Sequence, residues 1–143
     1  MQKTRVKDVM TPDVETLKSS ESLKLADDLM QLGRIRHLPV LDDNGQKLVG
    51  IVSQRDLFRG ALARALGYEQ RARRKILDKI AVKEIMVTDV ITTTPETLLA
   101  DAACLMIQRK IGCLPVVNEG RLVGILTESD FVALATREVG AAD

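Results

Sequence analysis

Two stretches of the chain carry apolar residues at helical spacing. In the first, Leu23, Ala26 and Met30 recur every three or four positions with Leu25, Leu29 and Leu32 beside them, which predicts an amphipathic helix with a wide apolar stripe. The second, Leu98 to Ile107, is apolar almost all round apart from Asp101. That is more than one small sheet can cover, so part of it is expected to face another helix pair. Ser22 and Thr97 stand just before these runs and are the predicted N-caps. Short apolar segments follow each helix. His37 to Leu41 and Lys47 to Val52 flank Asp42-Asp43-Asn44-Gly45, while Cys113 to Val117 and Arg121 to Leu126 flank Asn118-Glu119-Gly120. Both read as β-hairpins. Val14 to Leu17 and Val90 to Thr94 predict a strand ahead of each helix, and further helices run from Gln54 towards Leu66 and from Glu128 towards Arg137. The order is strand, helix, strand, strand, helix, twice over, which predicts an α/β fold.

The two halves match in register. Val6-Lys7-Asp8-Val9-Met10 returns 76 positions later as Val82-Lys83-Glu84-Ile85-Met86, and the same offset pairs Leu23 with Leu99, Ala26 with Ala102, Met30 with Met106 and Leu38-Pro39-Val40 with Leu114-Pro115-Val116. After the prolines a two-residue difference in the turn brings the offset to 74, which pairs Gly50 with Gly124 and Asp56 with Asp130. A length difference confined to a turn is what a structural repeat tolerates. The expected organisation is a first repeat over residues 6–58, a helical linker over 59–81 and a second repeat over 82–137. In the linker, Arg71, Arg73, Arg74, Lys75 and Lys79 alternate with Ile76, Leu77 and Ile80, as in an amphipathic helix with a solvated basic face. A contact from that face to phosphates or to an acidic partner is the sharper alternative.

Composition narrows the function. With 45% hydrophobic, 29% charged and 2% aromatic residues, the chain reads as an ordinary globular protein, poor in the rings that stack on bases. A net charge of +1 gives no footing to a general nucleic-acid binder. Cys104 and Cys113 have neither CxxC spacing nor a histidine nearby, so neither a disulfide frame nor a metal site is expected. The N-terminal residues lack the apolar core of a signal peptide, and no apolar run approaches membrane-spanning length, so a cytoplasmic location away from membranes is expected. No triad of nucleophile, base and orienting acid, no phosphate-binding glycine loop and no paired histidines are recognisable, and no catalytic residue is assigned.

The chemistry is expected where a strand runs into a helix. Leu48-Val-Gly-Ile-Val-Ser53-Gln-Arg55-Asp56 recurs as Leu122-Val-Gly-Ile-Leu-Thr127-Glu-Ser129-Asp130. A helix start exposes unpaired backbone N–H groups and the positive end of the dipole, which suits anions. The aspartate one turn in can accept hydrogen bonds from hydroxyl groups. The same residues fit a capping box, which would order the helix without binding anything.

The tandem Leu-Pro-Val strands, the paired Val-Gly-Ile-x-Ser/Thr-x-x-Asp junctions and the opening at Met10-Thr11-Pro12 together resemble a pair of CBS (cystathionine-beta-synthase) domains. The resemblance runs from about Val6 to Val132, and the stand-alone form with a helical insert between repeats resembles small bacterial CBS-pair proteins, some related to the acetoin-utilisation type. It implies two β-α-β-β-α repeats packed through their sheets with pseudo-two-fold symmetry, a Bateman module, and commonly a homodimer. It also implies that AMP, ADP, ATP or S-adenosylmethionine binds in clefts between repeats, with regulation of another protein as the role and no catalytic cofactor.

Carried over by position, the resemblance assigns one cleft to Thr127, Ser129 and Asp130 with Lys7, Pro12, Ile35, Arg36 and His37. The other combines Ser53, Arg55 and Asp56 with Lys83, Thr88, Ile111, Gly112 and Cys113. Arg36 and His37 stand where family members place phosphate-binding cations, so the first cleft suits a nucleotide with charged phosphates. The second has Gly112 and Cys113 there and is expected to take AMP or an adenosine-like ligand, or to stand empty. Arg36 also reads as an exposed charge, His37 as a packed histidine, Ile35 and Ile111 as packing residues, and Cys113 as a buried thiol or a redox reporter. Met10, Met30, Met86 and Met106 read as core residues. With no Trp and with only Phe58, Phe131 and Tyr68 as aromatic side chains, a bound base is expected to rest on aliphatic walls. A ligand-free structural or partner-binding dimerisation module, and a nucleic-acid binder acting through the linker helix, are the alternatives.

Overall fold

β-branched and leucine residues at alternating positions build the first hairpin, in which β2 (His37–Leu41) pairs antiparallel with β3 (Leu48–Ser53). The computed structural model describes residues 3–57 and 70–142, with all their side chains except those of residues 70–74 and 138–142. The chain divides into two compact units, Glu15–Val90 and Met1–Val14 together with Ile91–Asp143.

In the Glu15–Val90 unit, β1 (Leu17–Lys18) lies parallel to β2, with Leu17 opposite Val40, giving a three-stranded sheet in the order β1-β2-β3. β1 is shorter than the expected Val14 to Leu17 and falls at its C-terminal end. The turn after β2 is closed by Asp42. Its Oδ1 accepts from the backbone N–H groups of Gln46 (3.0 Å) and Lys47 (3.3 Å), while Gly45 takes a φ of 71° that an L side chain resists. The bond from Gln46 is the largest of the influences that hold the Asp42 carboxyl below its usual range.

Helix α2 (Leu23–Gly33) buries Leu23, Ala26 and Met30 as the spacing predicts, and Ser22 caps it by accepting from the Leu25 N–H at 3.3 Å. Leu25 and Leu32 remain 37% and 85% exposed. Helix α3 (Gln70–Lys79) supplies buried Leu77 and Ile80 to the same core, with Lys75 and Lys79 exposed. The helix that starts at Gln54 is described through Leu57. Its expected continuation to Leu66, Phe58, Tyr68 and the side chains of Arg71, Arg73 and Arg74 lie outside the described residues.

The second unit repeats these elements. α4 (Leu99–Arg109) buries Leu99, Ala102 and Met106. β4 (Cys113–Asn118) pairs antiparallel with β5 (Arg121–Thr127), and α5 (Glu128–Ala142) follows without a break. Glu119 and Gly120 both take positive φ, 51° and 78°, as a tight two-residue hairpin connection requires. Of the strand expected at Val90 to Thr94, a single parallel bridge from Thr93 to Val116 forms.

Each unit takes its opening segment from the other sequence repeat. Residues of α1 (Val6–Val9) belong to the core around Leu99, Leu114 and Leu126, with Val6 fully buried and Val9 nearly so. The Val6 N–H donates to the Thr97 carbonyl (2.9 Å), the Leu99 N–H to the Thr4 carbonyl (2.8 Å), and Thr11 and Ile125 exchange both backbone bonds (2.9 and 3.0 Å). Val82 and Val87 stand in the same relations to the first repeat's body, through Glu21 and Ile51. This exchange corrects one expectation. Thr97 is not the cap of α4. The residue in register with Ser22 is Leu98, which has no capping group, and the Leu99 N–H is satisfied by the Thr4 carbonyl of the docked opening segment. The Thr97 Oγ1 lies 2.8 Å from the Thr94 Oγ1 instead.

Candidate functional site

A strand that ends on a hydroxyl residue and passes directly into a helix leaves the first helical N–H groups without partners. In the unit containing α5 that junction is Thr127-Glu128-Ser129-Asp130. Asp130 turns back on it: its Oδ2 accepts from the Thr127 N–H at 2.8 Å and from the Thr127 hydroxyl at 3.3 Å. Its Oδ1 accepts from the Thr11 hydroxyl at 2.8 Å, a contact supplied by the docked opening segment. Asp130 is half-buried and Ser129 is exposed.

The Glu15–Val90 unit builds the same junction with Ser53 and Asp56. The Asp56 Oδ2 accepts from the Ser53 N–H (3.0 Å) and hydroxyl (2.8 Å), and the Ser53 Oγ accepts from the Asp56 N–H at 3.1 Å. This is a reciprocal capping box. The position equivalent to Thr11 is Val87, which has no hydroxyl, and among the described residues nothing donates to the Asp56 Oδ1. The capping interpretation and a binding role are therefore compatible, because each carboxylate caps with one oxygen and presents the other.

The remaining candidates are distributed as follows. Lys7 is on the opening segment of the Asp130 unit, where its Nζ forms an exposed ion pair with Glu96 at 3.0 Å. Pro12 is exposed one residue beyond Thr11. Arg55, Lys83 and Thr88 are exposed in the Asp56 unit. Ile35, Arg36 and His37 belong to that unit too. His37 opposes Ser53 across the hairpin, and the Arg36 carbonyl accepts from the Gln54 N–H at 2.8 Å, so both sit at the Ser53 junction. Arg36 is exposed and makes no ion pair among the described residues. Gly112 and Cys113 occupy the matching places at the Thr127 junction, where Cys113 opposes Thr127 and the Gly112 carbonyl accepts from the Glu128 N–H at 3.3 Å. Ile111 is half-buried against the core of that unit.

Burial pushes the Cys113 thiol up to about 12. A thiol held protonated through the physiological range is a poor nucleophile and a poor oxidation target, which removes the redox-reporter reading of this residue. Cys104 is exposed on α4. It lines a groove of about 430 Å³ with Thr92, Thr94, Thr97, Asp101 and Gln108, and none of the residues assigned from the sequence borders it. Among the described residues no cluster of His, Cys, Asp and Glu is placed to hold a metal ion, and no helix is long and apolar enough to cross a membrane.

Two features of the site were missed by sequence reasoning. In the sequence Thr11 stands out only as part of the Met10-Thr11-Pro12 opening, although its mismatch with Val87 is visible in the repeat register. Gly50 and Gly124 stand out there only as a matched pair. A Cβ on Gly124 would lie 2.7 Å from the Met10 sulfur and 3.0 Å from the Thr11 carbonyl oxygen, and one on Gly50 would lie 2.5 Å from the Met86 sulfur and 3.1 Å from the Val87 carbonyl oxygen. The glycines therefore let the opening segment lie flat on the strand that leads to the aspartate.

Comparison with known proteins gives a consistent picture. The family model described as the CBS domain matches residues 6–63 and 82–136. Among solved structures, the chain is similar to a putative acetoin utilization protein (AcuB) from Vibrio cholerae, at 39% identity and a TM-score of 0.80, covering 96% of this chain and 93% of that one. It is similar to the CBS domain pair of protein MJ0100 in complex with 5′-methylthioadenosine and S-adenosyl-L-methionine, at 32% identity and a TM-score of 0.77, covering 94% and 98%. It is also similar to CBSX2 from Arabidopsis thaliana, solved in complex with AMP, at 35% identity and a TM-score of 0.74, covering 93% and 96%. Several curated relatives are much longer than the matched region: the chain spans 42%, 24% and 23% of the lengths of three of them.

Proposed function

This chain belongs to the CBS domain family, and from that premise we propose that it is a regulatory module that binds an adenine nucleotide or related adenosine compound and has no catalysis of its own. The observation that carries the reading is the duplicated junction, in which Asp56 and Asp130 each hold their own helix start with one carboxylate oxygen and keep acceptor capacity on the other. The ligands seen with the two similar CBS pairs are 5′-methylthioadenosine, S-adenosylmethionine and AMP. All three combine adenine with a ribose diol, and a carboxylate is the natural acceptor for a pair of hydroxyls. By the family resemblance, the cleft of Asp130 would take a ligand with charged phosphates and the cleft of Asp56 a less charged adenosine compound.

The bound ligand acts by preferring one arrangement of the module over another, and the response of the regulated protein can be no larger than that preference. A melting-temperature series with AMP, ADP, ATP and S-adenosylmethionine tests the reading. A ligand at about 100 times its Kd adds about 2.7 kcal/mol to the folded state. Asp130→Ala is expected to remove the shift for phosphate-bearing ligands while Asp56→Ala leaves much of it. The opposite order would reverse the ranking of the two clefts, and a flat response to every ligand would remove the sensor reading.

The module is further proposed to work as a homodimer. Leu32 and Ile107, 85% and 76% exposed near the C-terminal ends of α2 and α4, are large apolar side chains left in water and are candidates for the contact. Sedimentation should give twice the 15.7 kDa chain mass, and a monomer at micromolar concentration would refute the assembly.

A further inference from the structure

The two carboxylates differ in what they have left to offer a ligand. A carboxylate has about four lone-pair positions on its two oxygens. On Asp130, the Thr127 N–H and hydroxyl take both positions of Oδ2, and the Thr11 hydroxyl takes one of the two on Oδ1. On Asp56, Ser53 occupies Oδ2 in the same way, but among the described residues nothing takes either position on Oδ1. The cause is a single difference between matched residues, Thr11 against Val87. Their backbones are held alike. Thr11 exchanges both backbone bonds with Ile125 (2.9 and 3.0 Å), and Val87 exchanges both with Ile51 (2.9 and 3.0 Å). Because these bonds fix the main chain and not the side chain, the Thr11 hydroxyl can leave Asp130 by a χ1 rotation with the opening segment still docked.

We propose that Thr11 is a specificity-determining residue of the Asp130 site, its hydroxyl competing with the ligand for Oδ1. This rests on the reading of Asp130 as a ribose-binding carboxylate. A ribose presents two adjacent hydroxyls. At Asp56 both can be accepted by Oδ1 with no other bond broken. At Asp130 the second hydroxyl must displace Thr11, so a bond to the charged oxygen is exchanged rather than gained. The Asp130 site therefore discriminates less between a diol and a ligand lacking one, and it binds a diol more weakly than its carboxylate alone would. The Thr11 side chain is also exposed, so the released hydroxyl is rehydrated at once and the exchange is reversible.

The test uses full-length protein and two probes, AMP and 2′,3′-dideoxy-AMP, with calorimetric titration. In an Asp56→Ala background, which isolates the Asp130 site, Thr11→Val is expected to tighten AMP by roughly tenfold, the worth of one hydrogen bond no longer given up. It should leave the dideoxy compound unchanged. In an Asp130→Ala background, Val87→Thr is expected to weaken AMP at the Asp56 site by a similar factor, again without effect on the dideoxy compound. A purely structural role for Thr11 would move both probes together. Equal or weaker AMP binding in Thr11→Val would overturn the inference while leaving the nucleotide reading intact, since AMP would still bind. Silence of AMP in the wild-type chain and in every variant would remove the nucleotide reading and this inference with it. Thr11 and Val87 are both exposed and their backbone bonds do not involve the side chains, so the substituted chains are expected to fold, which unchanged melting temperatures without ligand would verify.

Discussion

Removal of residues 1–14 is expected to unfold the part of the protein formed by residues 91–143. In the sequence residues 6–14 open the first repeat, yet Val6 and Val9 are buried in the core around Leu99, Leu114 and Leu126. Burying a valine side chain is worth about 1.5–3 kcal/mol. The same segment also satisfies the Leu99 N–H at the start of α4 and pairs with Ile125 at the edge of β5, and each buried backbone group left without a partner costs about 1–3 kcal/mol more. The total exceeds about 5 kcal/mol, the lower end of what a domain of this size has in reserve. In a chain beginning at Glu15, amide resonances of residues 91–143 should collapse to the unfolded range while those of Glu15–Val90, which keeps its own opening segment, retain their dispersion. A truncated chain with full dispersion in both parts would contradict this account of the core.

Valine at Gly124 is expected to be the most damaging single substitution described here, at about 3 kcal/mol or roughly 10 °C of melting temperature. Glycine in a strand is ordinarily a weakness, so a larger residue would stabilise if there were room. There is none. The Met10 sulfur that a Cβ would meet at 2.7 Å can swing aside, but the Thr11 carbonyl oxygen at 3.0 Å cannot, because it accepts the Ile125 N–H. Relief requires lifting the opening segment from the strand, which breaks that bond and its partner. Gly124→Ala should fall between wild type and Gly124→Val, and Gly50→Val should behave similarly through Val87. Thermal melts of the series that show no loss would mean that the segment is not held as described.

These two cases show how far the sequence carries. Local periodicity is enough for β2, whose bounds at His37 and Leu41 coincide with the expectation, for the buried triplet of α2, and for Ser22 as a cap, because each depends on residues within a few positions; the α4 triplet follows only through the repeat register. The repeat register correctly paired the two junctions, and the family resemblance pointed to a partnership between the opening segments and the aspartates. What could not be read was the consequence of docking at long sequence separation. Thr97 carries the right chemistry for a cap, but a carbonyl from Thr4 had already satisfied the helix start. Leu25 and Leu32 fall at the right spacing for burial but lie outside the arc that the sheet covers. The hydroxyl on Asp130 comes from a residue 119 positions away, and no local pattern marks it.

The exchange of opening segments also sets an order of events during synthesis. The Glu15–Val90 unit is one contiguous stretch, so everything it needs has left the ribosome soon after Val90 is made, and it can close early. The other unit must wait. Residues 1–14 are made before any of the stretch they pack against, with Val6, Val9 and Met10 unburied, and meet Ile125 only after residues 15–124 have been translated. Its slow step is thus the capture of residues 1–14 across a very long loop, and nascent chains stalled between these two points would display that apolar segment to chaperones.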